Sequence, residues 1–83
     1  MGKTLTVRIL TPEVCLFEGE ADSVFLPGAV SPFEVLPGHA AFISSLERGD
    51  VRACCSGEET FCVKVSSGVV RVLGDKVTVC AEI

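Results

Sequence analysis

Apolar and polar residues alternate along much of this chain with a period of two. The clearest case is the segment 60–66, in which every odd-numbered residue is Phe or Val and the residues between them are polar or small. Such alternation predicts a strand that buries one face and exposes the other. The same pattern recurs near the start, over 5–9, and at the end, over 77–81.

Further short apolar runs lie between these three segments, each bounded by Gly, Pro or acidic residues. Gly and Pro occur so often that no stretch without them is longer than ten residues, which excludes long helices. The segment 39–48 lacks both and could form a short helix, but alternation favours a strand over its centre. The additional predicted strands are Cys15–Glu18, Ala21–Leu26, Phe33–Leu36, Phe42–Leu46, Val51–Cys55 and Val69–Leu73.

Turn signals join these strands. Gly74-Asp75 and the run 56–59 are typical of tight hairpins, so the last four strands are predicted to form a meander. Leu-Pro-Gly occurs at 26–28 and again at 36–38, where a fixed φ followed by a positive φ would suit type II turns. About nine short strands with such turns predict an all-β fold, a small antiparallel β-sandwich or flattened barrel.

Composition supports one small domain over residues 1–83. Apolar residues make up 48% of the chain, and Val, Ile and Thr together account for 21 of its 83 residues. The net charge is −4 and the cations are scattered singly, which argues against nucleic acid and against docking on anionic lipid. No run approaches the length of a membrane span, and the start lacks the layout of a signal peptide.

Five cysteines make a disulfide framework improbable, because the number is odd and two of them are adjacent. Free cysteine is commonly a small buried hydrophobe in a reducing compartment. Cys55 and Cys62 could meet across a hairpin as a redox-labile pair. No cysteine or histidine has the spacing of a zinc site, and His39 is the only histidine.

Catalytic signatures are missing from the sequence. It contains neither a P-loop nor a dinucleotide-binding glycine motif, and no serine lies in a GxSxG turn. The acidic residues fall mostly beside turns or on strand faces expected to be solvated. These observations indicate a binding or structural β module that uses no cofactor, rather than an enzyme.

The central run 17–49 contains two Leu-Pro-Gly segments, the second followed by His-Ala, within a distinctive succession of residues. These are Phe17, Gly19, Glu20, Leu26, Pro27, Gly28, Phe33, Leu36, Pro37, Gly38, His39, Ala40, Leu46 and Gly49. The succession closely resembles that of the N-terminal β-sandwich domain of the epsilon subunit of F-type ATP synthases. The resemblance extends to the first strand and the final hairpin, and so covers nearly the whole chain. Three departures are Ser31 where the family usually has Gly, Ala41 where it usually has Pro, and an end at Ile83 without the helical C-terminal domain of many members.

This resemblance implies a non-catalytic subunit of the central stalk that binds the gamma subunit and the ring of c subunits during proton-driven ATP synthesis. It also implies a location at the cytoplasmic face of the bacterial inner membrane, without insertion into lipid. His39 is the foremost candidate contact, although an imidazole after a Pro-Gly turn could instead cap that turn. The expected interface residues are Gly28, Ala29, Val30, Ser31, Pro32, Phe33, His39, Ala40, Phe42 and Ser44.

Two alternatives of a different class stay open at this point. One is a free-standing β module that binds a small ligand. The other is a thiol-dependent or metal-binding protein that uses the five cysteines, which a bound metal or a fast-reacting thiol would reveal.

Overall fold

A computed structural model describes residues 4–83, which form two β-sheets; the first three residues of the expected 1–83 domain lie outside the described part. The described chain contains strands and turns and no helix. The strands are β1 (Leu5–Leu10), β2 (Cys15–Ala21), β3 (Ser23–Leu26), β4 (Phe33–Val35), β5 (Phe42–Leu46), β6 (Gly49–Cys55), β7 (Glu58–Val65), β8 (Ser67–Leu73) and β9 (Lys76–Glu82).

The two sheets pack face to face as a β-sandwich. The five-stranded sheet has the order β2-β1-β9-β8-β5, and the four-stranded sheet has the order β4-β3-β6-β7. Every neighbouring pair is antiparallel except β1 and β9, which run parallel. The predicted all-β sandwich is therefore confirmed, with one parallel pair inside it. The ambiguous segment 39–48 contains the strand β5 and no helix.

Inward-facing aliphatic side chains of both sheets form the core, and most of them are valine. Val7 on β1, Val51 on β6 and Val79 on β9 are all fully buried. Branching at Cβ restricts the valine side chain to few rotamers and suits it to the pleated surface, so little rotamer entropy is lost on burial. Burying one such side chain contributes about 1.5–3 kcal/mol.

Two of the predicted hairpin turns are confirmed. Ser56 and Gly57 have φ of 55° and 79°, and Gly74 and Asp75 have φ of 56° and 63°. Positive φ at both central residues defines the type I′ turn, whose twist matches that of the strands it joins. These turns connect β6 to β7 and β8 to β9.

The predicted meander of the last four strands is wrong at its centre. β7 belongs to the four-stranded sheet and β8 to the five-stranded sheet, so they do not pair. The chain changes sheets at Ser66, whose N–H donates a 2.8 Å hydrogen bond to the carbonyl of Glu82. A bend within a continuous extended segment lets one run of residues serve both layers.

The predicted boundary between the second and third strands is also wrong. β2 continues through Gly19 to Ala21, and β3 begins only after a bend at Asp22. The Asp22 N–H donates to the carbonyl of Cys54 at 2.9 Å, and its Oδ2 accepts the N–H of Ser56 at 2.7 Å. Asp22 thus fixes the corner between the two sheets.

Phenylalanine pairs close both open sides of the sandwich. Phe17 on β2 stacks on Phe61 of β7 with ring centroids 4.9 Å apart. On the opposite side Phe33 of β4 meets Phe42 of β5 edge to face at 5.5 Å. Each pair joins the edge strand of one sheet to the edge strand of the other. Aromatic contacts of this kind are worth about 0.5–1.5 kcal/mol beyond the area they bury.

Candidate interaction surface

The loop between β3 and β4, residues 27–32, is held firmly at its base against β5. Gly28 forms a β-bridge with Leu46. The Ala29 N–H donates to the carbonyl of Ser45 at 3.1 Å, and the Glu47 N–H donates to the carbonyl of Pro27 at 2.9 Å. The loop therefore extends from an anchored backbone rather than from a free hinge.

Gly28 is buried, and glycine is needed at this position because neighbouring atoms pack closely against it, not because the backbone is left-handed. A Cβ at this position would lie 2.5 Å from the Ser31 carbonyl oxygen and 2.7 Å from the Phe33 ring. The Gly28 N–H donates to the carbonyl of Leu26 at 3.1 Å, the hydrogen bond of a γ-turn centred on Pro27. Since Gly28 is not among the glycines with positive φ, the predicted type II turn at 26–28 is wrong.

The second Leu-Pro-Gly segment forms the predicted type II turn. Gly38 has φ of 85°, and the His39 N–H donates to the carbonyl of Leu36 at 3.1 Å. Asp75 holds this turn against the β8–β9 hairpin, because its Oδ1 accepts the Gly38 N–H at 2.8 Å. The position of His39 is consequently set by two turns that are far apart in sequence.

An aromatic row joins the two segments in which the sequence placed the interface. Phe42 contacts Phe33 on one side and the His39 ring on the other, with centroids 4.9 Å apart in the second contact. His39 Nδ1 also lies 2.9 Å from its neighbour's carbonyl oxygen, that of Ala40. The segments 28–33 and 39–44 are thus brought together along the side where β4 and β5 lie.

The expected interface residues differ in how much surface they offer. Val30 is 101% exposed and so has no side-chain contact within the chain. Phe33, Phe42 and Ser44 are half-buried, and Gly28 serves only to position its neighbours. The exposed members of the set are Ala29, Val30, Ser31, Pro32, His39 and Ala40.

Sequence reasoning missed a patch of exposed apolar side chains that surrounds Arg71 on the outer face of the five-stranded sheet. Ile43 is 70% exposed, Leu73 is 52% exposed and Val69 is 46% exposed. On β5 it is therefore Ile43, not Ser44, that faces outward. The signal was present in the run 69–73, where apolar residues occupy outward as well as inward positions. At the opposite edge of the same sheet, Arg8 on β1 forms a 3.7 Å ion pair with Glu18 on β2. The outer face is therefore polar at that edge.

A shallow groove of about 480 Å³ lies beside the 27–32 loop on the four-stranded sheet. Its apolar lining includes Phe25, Pro32 and Phe33. Its charged lining consists of Glu34, Arg48, Asp50 and Arg52. The Arg52 guanidinium lies 5.1 Å above the Phe25 ring and 3.9 Å from Glu59. Because Arg52 already has both an aromatic and a carboxylate partner, it is poorly placed to select an anionic ligand.

The cysteines do not form the pair considered from the sequence. Cys62 lies opposite Arg52, whereas Cys55 lies opposite Glu58. Four residues of strand separate the two pairing positions on β7, about 13 Å, which exceeds the Cα separation of a disulfide. Burial, and next the charge of Glu59, raise the pKa of the Cys62 thiol, which makes it less reactive.

Metal chemistry finds no support in the described part of the chain. Within residues 4–83, no group of three or more His, Cys, Asp or Glu side chains is placed to hold a metal ion. The same residues contain no helix long and apolar enough to cross a membrane. The fold defines a small β-sandwich whose surface carries exposed apolar side chains on the 27–32 loop and on the outer face of β5 and β8.

Comparison with known proteins identifies the family. Residues 4–83 match the family described as "ATP synthase, Delta/Epsilon chain, beta-sandwich domain", to which this chain belongs. It is 38% identical over 82 residues to an ATP synthase epsilon chain of Desulfitobacterium hafniense, covering 99% of this chain and 61% of that protein. It is also 38% identical to the epsilon chain of Chlorobaculum tepidum, covering 96% of this chain and 91% of that protein. The chain thus spans about 61% of the length of the first of these relatives.

Solved structures agree on the fold. A chain in the Euglena gracilis mitochondrial ATP synthase, in a structure of its OSCP, F1 and c-ring, superposes with a TM-score of 0.85 at 14% identity. That match covers 94% of this chain and 50% of the other. A central stalk and c-ring structure from Tetrahymena thermophila matches with a TM-score of 0.77 at 12% identity, covering 99% and 66%. At such low identity the likeness shows the β-sandwich alone.

Proposed function

We propose that this chain is a non-catalytic rotor subunit of an F-type ATP synthase, joining the gamma subunit to the ring of c subunits during proton-driven ATP synthesis. Membership of the delta/epsilon family supports this proposal. So does the Chlorobaculum tepidum epsilon chain, of which this chain covers 91%. In this role the protein binds no cofactor, and it is peripheral to the cytoplasmic face of the bacterial inner membrane through its complex.

The observation that carries the proposal is the pair of contact surfaces that meet at β5. The loop 28–33 and the segment 39–44 lie along one side of the sandwich, and Ile43 continues this surface onto the outer sheet face. We propose that the loop 28–33 faces the c ring and that 39–44, with the patch of Ile43, Val69 and Leu73, faces gamma. Exposed apolar side chains of this kind mark protein interaction sites.

Rotation requires that a load applied at one surface reaches the other without deforming the body between them. The 27–32 loop is bonded directly to β5, and β5 is hydrogen bonded along its length to β8. The two surfaces are therefore parts of one hydrogen-bonded unit. A small sandwich with a tightly packed core suits this task because such interiors have low compressibility.

Co-purification with the gamma and c subunits of the same organism tests the proposal. The unchanged chain should remain in a stalk complex, and Ile43→Asp should weaken its retention at least tenfold, because burying an isoleucine side chain is worth about 1.5–3 kcal/mol. His39→Ala in the same assay tests the histidine contact. Val14→Asp is the matched control, since Val14 is 54% exposed and lies before β2, at the opposite edge of the sheet. Failure of the unchanged chain to associate with either subunit would refute the proposal.

A further inference from the structure

The 27–32 loop has no charged residue of its own and presents one branched apolar side chain, Val30, between the smaller exposed apolar residues Ala29 and Pro32. Val30 is 101% exposed at its tip. No charged residue occurs between Asp22 and Glu34, so the loop itself is neutral. The charged residues that line the groove beside it, Glu34, Arg48, Asp50 and Arg52, carry no net charge as a set. A wholly exposed valine costs free energy in water that burial against a partner would recover.

The conformation of the loop is also fixed before any partner binds. Its first residues are bonded to β5 through Ala29 and through the Gly28 bridge to Leu46. The backbone at Gly28 and Ser31 approaches so closely that a Cβ on Gly28 would lie 2.5 Å from the Ser31 oxygen. Pro32 has a fixed φ, and the stiff Val30 side chain has one rotatable bond. Little conformational entropy is thus left to lose when a partner binds.

We propose that Val30 is a preformed apolar knob that inserts into an uncharged pocket of a partner protein, so that recognition at this loop does not depend on charge. This inference rests on the proposed function, in which the loop faces the c ring. A protein surface suits the knob better than lipid does. One valine gives weak insertion, and the chain's net charge of −4 without cations in the loop opposes anionic headgroups.

Substitutions of opposite charge at one position separate an apolar contact from an electrostatic one. We would measure binding of the full chain to the detergent-solubilised assembly of gamma and c ring, using Val30→Thr, Val30→Glu and Val30→Lys. Val30→Thr keeps the branched shape and adds a hydroxyl, and should weaken binding about tenfold. Glu and Lys should each weaken it further and to a similar degree, because each places a charge in an apolar pocket. Val14→Thr, at the other edge of the sheet, should bind as the unchanged chain does.

The outcomes are distinct. Raising the salt from about 0.05 M to about 0.5 M, which shortens the screening length from roughly 14 Å to 4 Å, should change the effect of Val30→Thr less than twofold. Opposite effects of Glu and Lys, or an unchanged affinity for Val30→Thr, would overturn the knob while leaving the rotor function intact. Binding to anionic vesicles, or self-association, that depends on Val30 would overturn it in favour of another occupant. No binding by the unchanged chain would refute the proposed function, and the knob with it.

Discussion

Replacement of Gly28 by alanine tests the packing that holds the loop in place. The added methyl group would lie 2.5 Å from the Ser31 carbonyl oxygen and 2.7 Å from ring carbons of Phe33. The φ of Gly28 is not positive, so the conflict is steric. An extra methyl group in a packed site costs about 1–3 kcal/mol. Because one of the crowded atoms belongs to the backbone and cannot rotate away, we expect a loss in the upper half of that range.

The loss is measurable as a change in the free energy of unfolding. The chain has no Trp and no Tyr, so urea and thermal unfolding are best followed by far-ultraviolet circular dichroism. In a domain of this size about 1 kcal/mol lowers the Tm by roughly 4–8 °C, so we expect Gly28→Ala to lower it by at least about 8 °C. The mutant should also lose affinity for the partner at the 27–32 loop, since Phe33 and Ser31 must shift.

Gly38 provides the matched comparison. It has φ of 85° and would place a Cβ within 4 Å of no other atom, so its substitution costs only left-handed backbone strain, about 1–2 kcal/mol for alanine. Asparagine tolerates that conformation, so Gly38→Asn should be milder than Gly38→Ala. At Gly28 the order should reverse, because asparagine is larger. A Gly28→Ala protein within about 0.5 kcal/mol of the unchanged chain, or a milder Gly28→Asn, would refute the steric argument.

Three further predictions concern other parts of the sandwich. In a double-mutant cycle by urea unfolding, Phe17→Ala and Phe61→Ala should show a coupling of about 0.5–1.5 kcal/mol, and strict additivity would contradict the stacked pair. Cys62 should be alkylated more slowly near neutral pH than a free cysteine thiol, because its raised pKa leaves less thiolate, and Glu59→Gln should speed the reaction. Mass spectrometry of the labelled peptide measures both rates, and an unchanged rate in Glu59→Gln would contradict the contribution of the Glu59 charge. Asp22→Ala should cost about 1–3 kcal/mol in urea unfolding by removing the acceptor at the β6–β7 turn, whereas Asp22→Asn, which keeps an acceptor oxygen, should cost less.

Local patterns predicted the strands well because alternation reports which side of a strand is buried. The predicted end of the second strand was wrong, because Gly19 was interpreted as the residue that ends it. In the structure this glycine pairs with Val7 in mid-strand, and the Phe17 ring lies across it, 3.2 Å from where a Cβ would be. A glycine that accommodates a neighbouring ring cannot be told from a turn glycine by sequence alone.

Pairing between strands that are distant in sequence could not be predicted from local sequence patterns. The parallel pair of β1 and β9 joins the two ends of the described chain, and the crossing at Ser66 carries no Gly or Pro to mark it. Both depend on how the sheets close around the core. The two Leu-Pro-Gly segments make the same point, because identical tripeptides form a type II turn at Gly38 and a close-packed γ-turn before Gly28.

The candidate surface was only partly predictable for a related reason. A resemblance to a family indicates segments, such as 28–33 and 39–44, but only the fold shows which side chains those segments expose. Ser44 and Phe42 share the inward side of β5, whereas Ile43 faces outward. The alternation that predicted the strand already implied this division. What it could not supply was the neighbours of Ile43 on β8, where Arg71 lies directly opposite and the exposed Val69 and Leu73 lie two residues to either side of Arg71.

In the proposed role, β5 links the two surfaces that would contact different partners. Its backbone holds the 27–32 loop, its inward Phe42 links that loop to His39, and its outward Ile43 belongs to the sheet face. A displacement of the loop is therefore transmitted directly to β5, which is hydrogen bonded to β8, as well as to β3 and β4, which the loop connects. For a rotor subunit this arrangement has a physical advantage, because no flexible linker lies between the two contact surfaces. In the proposed role, the tight packing at Gly28 fixes the position of Val30 relative to the sheet, because a looser base would let the loop move independently.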